Sequence, residues 1–546
     1  MERVRWRERA IGAAVAACCL TYSGASASAS PGRDVFLGSA LSANAAELAQ
    51  PGGDLWWSQF LTSCKDLGPS RARQVSVVMD MVAGGASSKL ESWARRHALQ
   101  LQWYVNELVA VLSGSPARLG SALGVRVDDF ISPDGQRFYS AKVQPGVPAA
   151  LAGEVAAVGR LSNYKDYSTA YVARGGLSPQ ALLSAYDAAP LRAQGLNGAG
   201  ETVVAFEIDG YSMTDLSKFT SKFKLPPFSA ADGFSEVGGE AGAPAGETDM
   251  DLETVREIAP GAKIVYYNTL QFASGSASFT DILVKAFSDV AHRYPGAIWT
   301  LSIGACEKGF TYADLNAEDQ AAVAAENTGT TIFAASGDTA GLECVNQQDW
   351  GSVPTQNDVG VWAPAVLPAV TGVGGTTLSV TSAGAYTGES AWFYPVLGQG
   401  TGGGTSTIFA QPQWQVGPGL PTPSRSVPRL VPDVAAVGDP LTGNAIYNGG
   451  SLTQGGGTSL ATPIWAGFMA LIDEYLHRNG GKPVGFLNPA LYYLAGHSPT
   501  YPPFHDVTAG GNNIWRNGSG YNESTGLGSP DVYNLARDLL ALERGR

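Results

Sequence analysis

The chain has little charge, few cysteines and few histidines. Charged residues make up only 15% of its 546 positions, against 44% hydrophobic residues. That leaves ample material for a core and excludes global disorder. The length predicts two or three domains. Apart from residues 11–20 there is no long apolar run, which excludes a transmembrane helix elsewhere in the sequence.

The shortage of positive charge is greatest after residue 176. Residues 1–176 hold 18 Lys and Arg against 14 Asp and Glu, whereas residues 177–546 hold 17 against 34. A surface that acidic does not attract nucleic acid, which we exclude as a partner. The acidic excess suits work in acid, where many carboxylates are neutral, and a role in solubility alone is the alternative.

The N-terminus has the three parts of a secretory signal. Arginines at alternate positions within residues 3–9 form a basic start, residues 11–20 are apolar, and residues 25–29 offer small side chains for cleavage. The apolar part is too short to span a bilayer. We therefore expect residues 1–29 to be removed and the protein to be secreted and extracellular. A tethered N-terminus is the alternative.

Few cysteines remain once the signal segment is set aside. Cys18 and Cys19 leave with that segment, and Cys64 lies in the N-terminal region. In an oxidising compartment Cys306 and Cys344 can form one disulfide, with two buried free thiols as the alternative. No further Cys or His clusters near them, so we expect no metal site there.

Two patterns of secondary structure follow each other along the chain. Residues 75–161 show a mixed α/β pattern, with a strand from residue 75, a helix over 88–113 and a strand over 137–143. Residues 162–176 have the polar composition of a linker or processing region. From residue 177 onward apolar strands alternate with helices. That alternation predicts an α/β domain with a doubly wound, mostly parallel sheet.

Ser459 is a candidate nucleophile. The string Gly-Gly-Gly-Thr-Ser-Leu-Ala-Thr-Pro at 455–463 leads into a helix, with Pro463 in its first turn. There, backbone N–H groups and the helix dipole favour developing negative charge. An ordinary N-cap serine is the alternative. The string resembles the surroundings of the nucleophile in subtilisin-type peptidases, but the His-Gly-Thr segment that supplies their base is absent.

A pair of carboxylates offers a base in place of histidine. Glu247 and Asp251 are spaced i, i+4, which puts both on one face of a helix, close enough to share a proton. One can stay ionised while the other stays protonated. At about pH 4 a histidine base would be protonated, whereas a carboxylate would not. A solvated acidic face is the alternative, since Asp249 and Glu253 lie nearby.

The histidines have no recognisable triad context. We expect them at surface or core positions rather than in catalysis; they are His97, His292, His477, His497 and His505. A relative of subtilisin with an unusually placed histidine base remains a separate hypothesis. Replacement of each histidine of the mature chain in turn would test it.

Asp338 follows an apolar strand at residues 330–334, within the string Ala-Ser-Gly-Asp. Active sites of parallel α/β proteins lie at the carboxyl ends of their strands. A protonated aspartate placed there can donate a hydrogen bond to an oxyanion. A turn-capping aspartate is the alternative.

The C-terminal region carries possible metal ligands on two loops. Carboxylate, carbonyl and amide oxygens are ligand types that Ca²⁺ takes, and glycines let carbonyls turn inward. Such oxygens come from Asp506, Val507, Gly518, Gly520 and Asn522. A turn-rich region without a metal is the alternative.

Together these residues resemble the sedolisin family of serine-carboxyl peptidases. The motifs Gly-Glu-x-Asp-x-Asp at 246–251, Ser-Gly-Asp at 336–338 and Gly-Gly-Thr-Ser at 456–459 match those of the family in order. Strings at 431–434 and 525–530 are similar as well. The resemblance covers most of the chain and implies a subtilisin-like α/β fold.

The resemblance implies a peptidase that acts in acid on proteins or peptides, as an endopeptidase or a tripeptidyl-peptidase. It implies that Ser459 is the nucleophile and Glu247 the base. It also implies that Asp251 orients Glu247 and that Asp338 donates a hydrogen bond to the oxyanion. Glu207 resembles an outer glutamate that extends the carboxylate network. Ser302 and Gly304 lie in a string similar to the strand that pairs with the substrate backbone.

The resemblance also implies an activation prodomain and one bound Ca²⁺. Residues 30–161, folded from about residue 75, would inhibit the catalytic domain of residues 177–546 until acid releases it. The implied calcium ligands are Asp506, Val507, Gly518, Gly520 and Asn522. The family usually has Asp at position 522, so one negative charge is lost and we expect a weaker site. We expect a monomer; the alternative function is a secreted, inactive pseudo-peptidase that binds proteins.

Overall fold

The computed structural model describes residues 61, 64–82, 86–104, 109–131, 137–143, 145–158, 161–162, 176–273, 279–310, 312–344, 359–394, 399–497 and 499–545. The predicted signal segment and nearly all of the predicted linker lie outside these residues. The described residues form two compact units, 61–162 and 176–545. Within these ranges, no helix is both long enough and apolar enough to cross a membrane.

The smaller unit is an α+β domain. Its strands are β1 (Lys65–Pro69), β2 (Val75–Met81), β3 (Gln100–Tyr104), β4 (Val109–Gly114), β5 (Val127–Ile131), β6 (Arg137–Ala141) and β7 (Val155–Val158). Its helices are α1 (Ser88–Arg96) and α2 (Pro116–Leu123), with a 3₁₀ turn at Ala149–Leu151. One antiparallel sheet has the order β3-β4-β2-β7 and the other β1-β5-β6. Leu90 and Trp93 of α1 and Leu119 of α2 pack into the core of this unit.

The predicted helix over residues 88–113 is wrong beyond residue 96. Helix α1 ends at Arg96, and Ala98 then adopts the left-handed region, with φ 52°. The residues that follow form β3 and β4, which pair antiparallel with each other. Pairing within the sheet satisfies their backbone groups and overrides the helical spacing of their apolar side chains. The predicted strands at residues 75 and 137–143 are confirmed as β2 and β6.

The larger unit carries the remaining elements. Its strands are β8 (Thr202–Glu207), β9 (Phe234–Val237), β10 (Lys263–Asn268), β11 (Ile298–Leu301), β12 (Ala305–Cys306), β13 (Thr331–Ala335), β14 (Trp362–Ala363), β15 (Thr371–Val380), β16 (Tyr386–Ala391), β17 (Phe393–Tyr394), β18 (Gln399–Gly400), β19 (Gly404–Ala410), β20 (Pro428–Val431), β21 (Val434–Val437), β22 (Ala445–Asn448), β23 (Ser451–Gln454), β24 (Phe504–His505) and β25 (Ser529–Pro530). Its helices are α3 (Pro179–Ala185), α4 (Ala189–Ala193), α5 (Met213–Phe223), α6 (Glu247–Ile258), α7 (Phe279–Arg293), α8 (Tyr312–Glu326), α9 (Thr458–Arg478), α10 (Asn488–Gly496) and α11 (Val532–Arg544). Short 3₁₀ turns span Ala230–Asp232, Thr269–Phe272 and Glu307–Gly309.

An eight-stranded sheet organises the larger unit. Its order is β16-β15-β13-β11-β8-β10-β9, with β21 also paired to β15. All of these pairs are parallel except β15 with β16. The predicted doubly wound, mostly parallel sheet is therefore confirmed.

Helices cover both faces of this sheet, which explains why its strands are apolar throughout. Along β8, Val203 and Ala205 face the core that contains α6 and α9. Val204 and Phe206 face the opposite core, which contains α7 and α8. A parallel sheet buried on both sides needs apolar residues at every position rather than at alternate ones.

Helices α6 and α9 pack closely against each other. At Gly467 in α9, an added Cβ would lie 2.9 Å from Cβ of Ile258 in α6, so a larger residue would push the helices apart. All residues of α6 are buried, and most of α9 is buried as well. The N-terminal turns of both helices are therefore held in fixed positions inside the unit.

Candidate active site

Three adjacent parallel strands end at the predicted site residues. Glu207 is the last residue of β8, Ser302 directly follows β11, and Asp338 lies three residues beyond β13. These strands are neighbours in the order β13-β11-β8, so their carboxyl ends meet at one edge of the sheet. The sequence motifs are thereby brought to the edge where α/β proteins form their active sites.

Helix α6 supplies Glu247 and Asp251. Both are buried, with exposed fractions of 2% and 0%. The helix starts at Glu247 because Gly246 turns the chain with φ 102°, where an added Cβ would lie 2.3 Å from Nδ2 of Asn448. The prediction that Glu247 and Asp251 lie on one helix is therefore confirmed.

Ser302 connects Asp251 with the backbone of Ser459. Its hydroxyl oxygen lies 2.7 Å from Oδ2 of Asp251 and 3.1 Å from the carbonyl oxygen of Ser459. Burial, and after it the charges of Glu207 and Glu247, raises the pKa of Asp251 well above its ordinary value. A protonated Asp251 can donate to Ser302 while Ser302 donates to Ser459, which satisfies both contacts at once.

Ser459 lies at the second residue of α9, and its side chain is 1% exposed. Among the described residues, its Oγ has no hydrogen-bond partner. Gly457 precedes the helix with φ 90°, and an added Cβ there would lie 2.6 Å from Oδ2 of Asp338. A buried, unpartnered hydroxyl at a helix N-terminus is free to react with a substrate group and is aided by the helix dipole.

Asp338 is held against the start of α9. Its Oδ1 accepts hydrogen bonds from the backbone N–H of Thr458 at 2.7 Å and from the Thr458 hydroxyl at 2.9 Å. Burial raises the pKa of Asp338 to about 6, and the two bonds from Thr458 oppose that rise. Below this pH the carboxyl is protonated and can donate from Oδ2, which lies close to Gly457 at the start of α9.

Glu207 extends the carboxylate network through Thr248. The Thr248 hydroxyl lies 2.9 Å from Oε2 of Glu207 and 2.5 Å from Oδ1 of Asp209. Burial, followed by the charges of Asp209 and Glu247, raises the pKa of Glu207 well above its ordinary value. Asp249 points elsewhere: its carboxylate accepts from the backbone N–H of Ser212 at 2.7 Å. Of the acidic residues in the motif, Glu247 and Asp251 therefore belong to the network and Asp249 has a structural role.

All five histidines have other surroundings. His477 contacts Glu201 near the far end of α9, and His292 lies in the last turn of α7. The other three lie against aromatic rings: His497 stacks on Tyr493, His505 stacks on Tyr386, and His97 lies tilted against Trp93. None contacts Ser459 in the part of the chain that the structure describes. His292, His477 and His497 are exposed, and His97 and His505 are half-buried.

The sequence analysis did not assign three residues to the network: Ser302, Asp209 and Glu343. Ser302 was predicted only as part of a strand that pairs with the substrate, yet its hydroxyl forms a hydrogen bond with Asp251. In the same string Gly304 packs against Trp362, where an added Cβ would lie 2.4 Å from Cε3. Asp209 lies two residues after Glu207, a same-face spacing that could have indicated it. Glu343 could not have been predicted: its Oε1 accepts from the backbone N–H groups of Thr339 and Gly341, beside Asp338, through a turn with no recognisable pattern.

The disulfide prediction is confirmed. Cys306 and Cys344 are bonded, with Cα atoms 4.7 Å apart and a sequence separation of 38. The bond joins strand β12 to the turn that follows Asp338. It therefore ties together segments that follow two neighbouring strands of the site, β11 and β13.

The predicted calcium ligands lie together, but the set does not fit Ca²⁺. The side-chain nitrogen of Asn522 donates to the carbonyl oxygens of Val507, Gly518 and Gly520. Both Asp506 oxygens accept from the backbone N–H of Gly520. A donor thus lies where the carbonyls converge, whereas Ca²⁺ needs six to eight oxygens. No group of three or more Asp, Glu, His or Cys suited to a metal occurs among the described residues.

Comparison with known proteins identifies the family of the chain. Residues 235–484 match the model of the Subtilase family. The chain is 32% identical over 487 residues to kumamolisin of Bacillus sp. (strain MN-32), which covers 83% of each chain. It is 34% identical over 385 residues to sedolisin of Pseudomonas sp. (strain 101), covering 66% of this chain and 61% of that protein.

A solved structure supports the same assignment. The chain resembles Pseudomonas sedolisin in complex with two molecules of pseudo-iodotyrostatin, with a TM-score of 0.58 and 31% identity. The match covers 68% of this chain and 99% of that chain. The fold and its doubly wound sheet are therefore those of subtilisin-like enzymes. The chain belongs to the sedolisin family and is a serine-type peptidase.

Proposed function

We propose that the chain is a secreted serine-carboxyl peptidase that works in acid and hydrolyses peptide bonds in proteins through an acyl-enzyme on Ser459. Glu247 is the general base, Asp251 orients it, and Asp338 donates to the oxyanion. One observation carries the proposal. The unpartnered Oγ of Ser459 lies at a helix N-terminus, next to Thr458, whose backbone N–H is bound by Asp338.

The proton of Ser459 passes to Glu247, one of the two carboxyl groups that α6 supplies. Ser459 Oγ attacks the substrate carbonyl as Glu247 accepts its proton, and a tetrahedral intermediate forms. Glu247 then returns the proton to the leaving amine, so that the C–N bond breaks and the acyl-enzyme remains. Water, deprotonated by Glu247, attacks the ester and releases Ser459. Asp251, one turn along the same helix, keeps its own proton because burial raises its pKa.

Acid supports this chemistry at the oxyanion. With its pKa at about 6, Asp338 is protonated below that pH and ionised above it. The protonated form can donate a hydrogen bond to the developing oxyanion, whereas the ionised form would repel it. The helix dipole of α9 adds to the stabilisation at the same point. Activity therefore declines as the pH rises past about 6.

Residues 30–161 serve as an activation prodomain in this proposal. The segment is carried N-terminal to the catalytic residues, and its slight excess of positive charge would be attracted to the acidic remainder of the chain. Protonation of carboxylates weakens that attraction, so we expect acid to release the inhibitor. Equal rates of maturation at neutral and acid pH would contradict the trigger.

The pH profile of peptide cleavage tests the proposal. We would compare the acid-treated full chain with Ser459→Ala and Glu247→Gln, and with Glu240→Gln as a control at an exposed glutamate. We expect a maximum at roughly pH 3–5 and no cleavage by Ser459→Ala. The rate should fall roughly 10³-fold in Glu247→Gln, and the control should stay unchanged.

Two outcomes would contradict it. A maximum near about pH 8 would indicate a histidine base instead. No activity at any pH in a folded and processed chain would favour a protein-binding pseudo-peptidase, although none of the motif residues is missing.

A further inference from the structure

Three backbone carbonyls of the C-terminal loops converge on one amide nitrogen. Nδ2 of Asn522 lies 2.9 Å from the carbonyl oxygen of Gly520, 3.0 Å from that of Gly518 and 3.5 Å from that of Val507. Its partner atom Oδ1 accepts from the backbone N–H of Gly518 at 2.6 Å. The side chain is 4% exposed, so water competes little for these contacts.

The orientation of the Asn522 amide follows from its partners. If the amide were reversed, its oxygen would face three carbonyl oxygens and its NH₂ group would face the N–H of Gly518. Every contact would then be repulsive. The arrangement present satisfies both ends of the side chain.

The convergence point has the features of a cation site with a different occupant. Carbonyls that turn inward from two loops are what a hard cation collects, and a glycine-rich loop allows that geometry. Here the positive end of an amide dipole lies at the point instead. The neighbouring carboxylate, Asp506, already accepts bonds from the Gly520 N–H at 3.1 Å and from the Ser519 hydroxyl at 3.1 Å.

We propose that the side-chain amide of Asn522 takes the place of a bound cation and keeps these two loops closed without Ca²⁺. This replaces the expectation of a weakened calcium site. A second asparagine supports the arrangement, because Nδ2 of Asn517 donates to the carbonyl of Val507 at 2.7 Å. The conclusion does not depend on the proposed catalytic mechanism.

The closed loop matters because it braces the central sheet. From Asn522 the chain turns back on itself, and Gly526 donates to the Asn522 carbonyl at 2.7 Å. Leu527 then donates to Asp433, and Ala435 in β21 donates to Gly528. Loss of the amide contacts should therefore lower the stability of the larger unit as a whole.

Thermal unfolding of the full chain with and without Ca²⁺ tests the inference. All proteins would carry Ser459→Ala to prevent self-cleavage, and the melting temperature would be measured at about pH 6 in EDTA and in millimolar CaCl₂. We expect the chain with Asn522 intact to melt at the same temperature in both. We expect Asn522→Ala to melt roughly 5 °C lower in both, because three carbonyls lose a donor.

Asn522→Asp separates a cation site from an ordinary hydrogen-bond cluster. The carboxylate cannot donate, so the melting temperature should fall in EDTA and recover in CaCl₂, when the ion supplies the positive charge. Isothermal titration calorimetry should then show one Ca²⁺ site in this variant and none with Asn522 intact. Asn316→Asp on α8 is the matched control, because Asn316 contacts the Tyr312 hydroxyl through its oxygen; it should show no response to Ca²⁺.

Three results would overturn the proposal. The first is one-site Ca²⁺ binding by the chain with Asn522 intact, lost in Asp506→Asn. The second is an unchanged melting temperature in Asn522→Ala. The third is a loss of stability in Asn522→Asp that Ca²⁺ does not restore, since the carbonyls would then form no cation cage.

Discussion

Glu343 offers a quantitative test of how the buried carboxyls behave. Its side chain is 4% exposed and lies between Gly337 and Gly402, beside the turn that holds Asp338. Burial raises its pKa to about 8, and the nearby charge of Asp338 adds to the rise. The perturbation we suggest is Glu343→Gln, because glutamine has nearly the shape of the protonated acid and its oxygen can still accept from Thr339 and Gly341.

The magnitude follows from the shift in pKa. When folding raises the pKa of a carboxyl, the folded protein is more stable at a pH where that carboxyl keeps its proton than it is at neutral pH. That stability is fully present below the ordinary value of 4.5 and declines as the pH rises towards the folded value of about 8. Between pH 4.5 and pH 7 the cost grows by about 1.4 kcal/mol for each pH unit, or roughly 3 kcal/mol. Glutamine does not titrate, so the variant loses this cost.

Chemical denaturation at two pH values measures the effect. The free energy of unfolding of the full chain, carrying Ser459→Ala, would be determined in urea at about pH 4 and pH 7. Other buried carboxyls also make the protein less stable at pH 7, and they contribute equally in the parent chain and in Glu343→Gln. The fall in free energy between the two pH values should therefore be smaller by roughly 3 kcal/mol in Glu343→Gln.

The control variant is Glu240→Gln, which removes an exposed carboxyl. It should leave the difference in the free energy of unfolding between the two pH values unchanged. If Glu343→Gln shows the same difference as the parent chain, Glu343 is ionised in the folded protein at pH 7. The explanation of its pKa by burial would then be wrong.

Three further predictions concern the site and the fold. Asp338→Asn should keep both hydrogen bonds from Thr458, and its NH₂ group can donate without titrating. The decline of kcat above about pH 6 should therefore move to higher pH. A pH profile identical to that of the parent chain would show that Asp338 does not cause this decline. Ser302→Ala removes the hydroxyl between Asp251 and Ser459 and should lower kcat roughly 10-fold to 100-fold with little change in KM, measured on a peptide substrate at acid pH; a rise in KM alone would indicate a substrate contact instead. Replacing Cys306 and Cys344 by serine should lower the free energy of unfolding by about 4 kcal/mol, as expected for a 38-residue loop, and reductant should then have no further effect; an unchanged value would show that the crosslink does not restrict the unfolded chain.

The sheet could be predicted from the sequence because its signal is local. Thr202–Glu207 and Lys263–Asn268 are apolar or β-branched over nearly their whole length, and each is followed by a helical pattern. Parallel strands covered on both faces produce this pattern wherever they occur. The carboxylate pair on α6 was predictable for a similar reason, because i, i+4 spacing on one helix requires no tertiary information.

The contacts that complete the site could not be predicted, because they join distant parts of the chain. Ser302 and Asp251 are 51 residues apart in sequence, and Ser302 and Ser459 are 157 apart. No spacing rule relates such positions. The wrong helix prediction at residues 88–113 has the same origin, since β3 and β4 are strands only because β2 lies beside β4. Asn522 shows the limit most clearly: its sequence position indicated a lost charge, whereas its contacts show a donor at the point where three carbonyl oxygens converge.

The acid chemistry that we propose for this protein and the stability in acid that we predict have one physical cause. Removing carboxyls from water favours their neutral form, so Asp338 and Asp251 hold the protons that the proposed mechanism requires, at a pH where exposed carboxyls would be ionised. The same burial destabilises the fold when the pH rises, as Glu343 illustrates. Replacing Asp338 by asparagine should therefore increase stability at neutral pH while it moves the decline of kcat to higher pH.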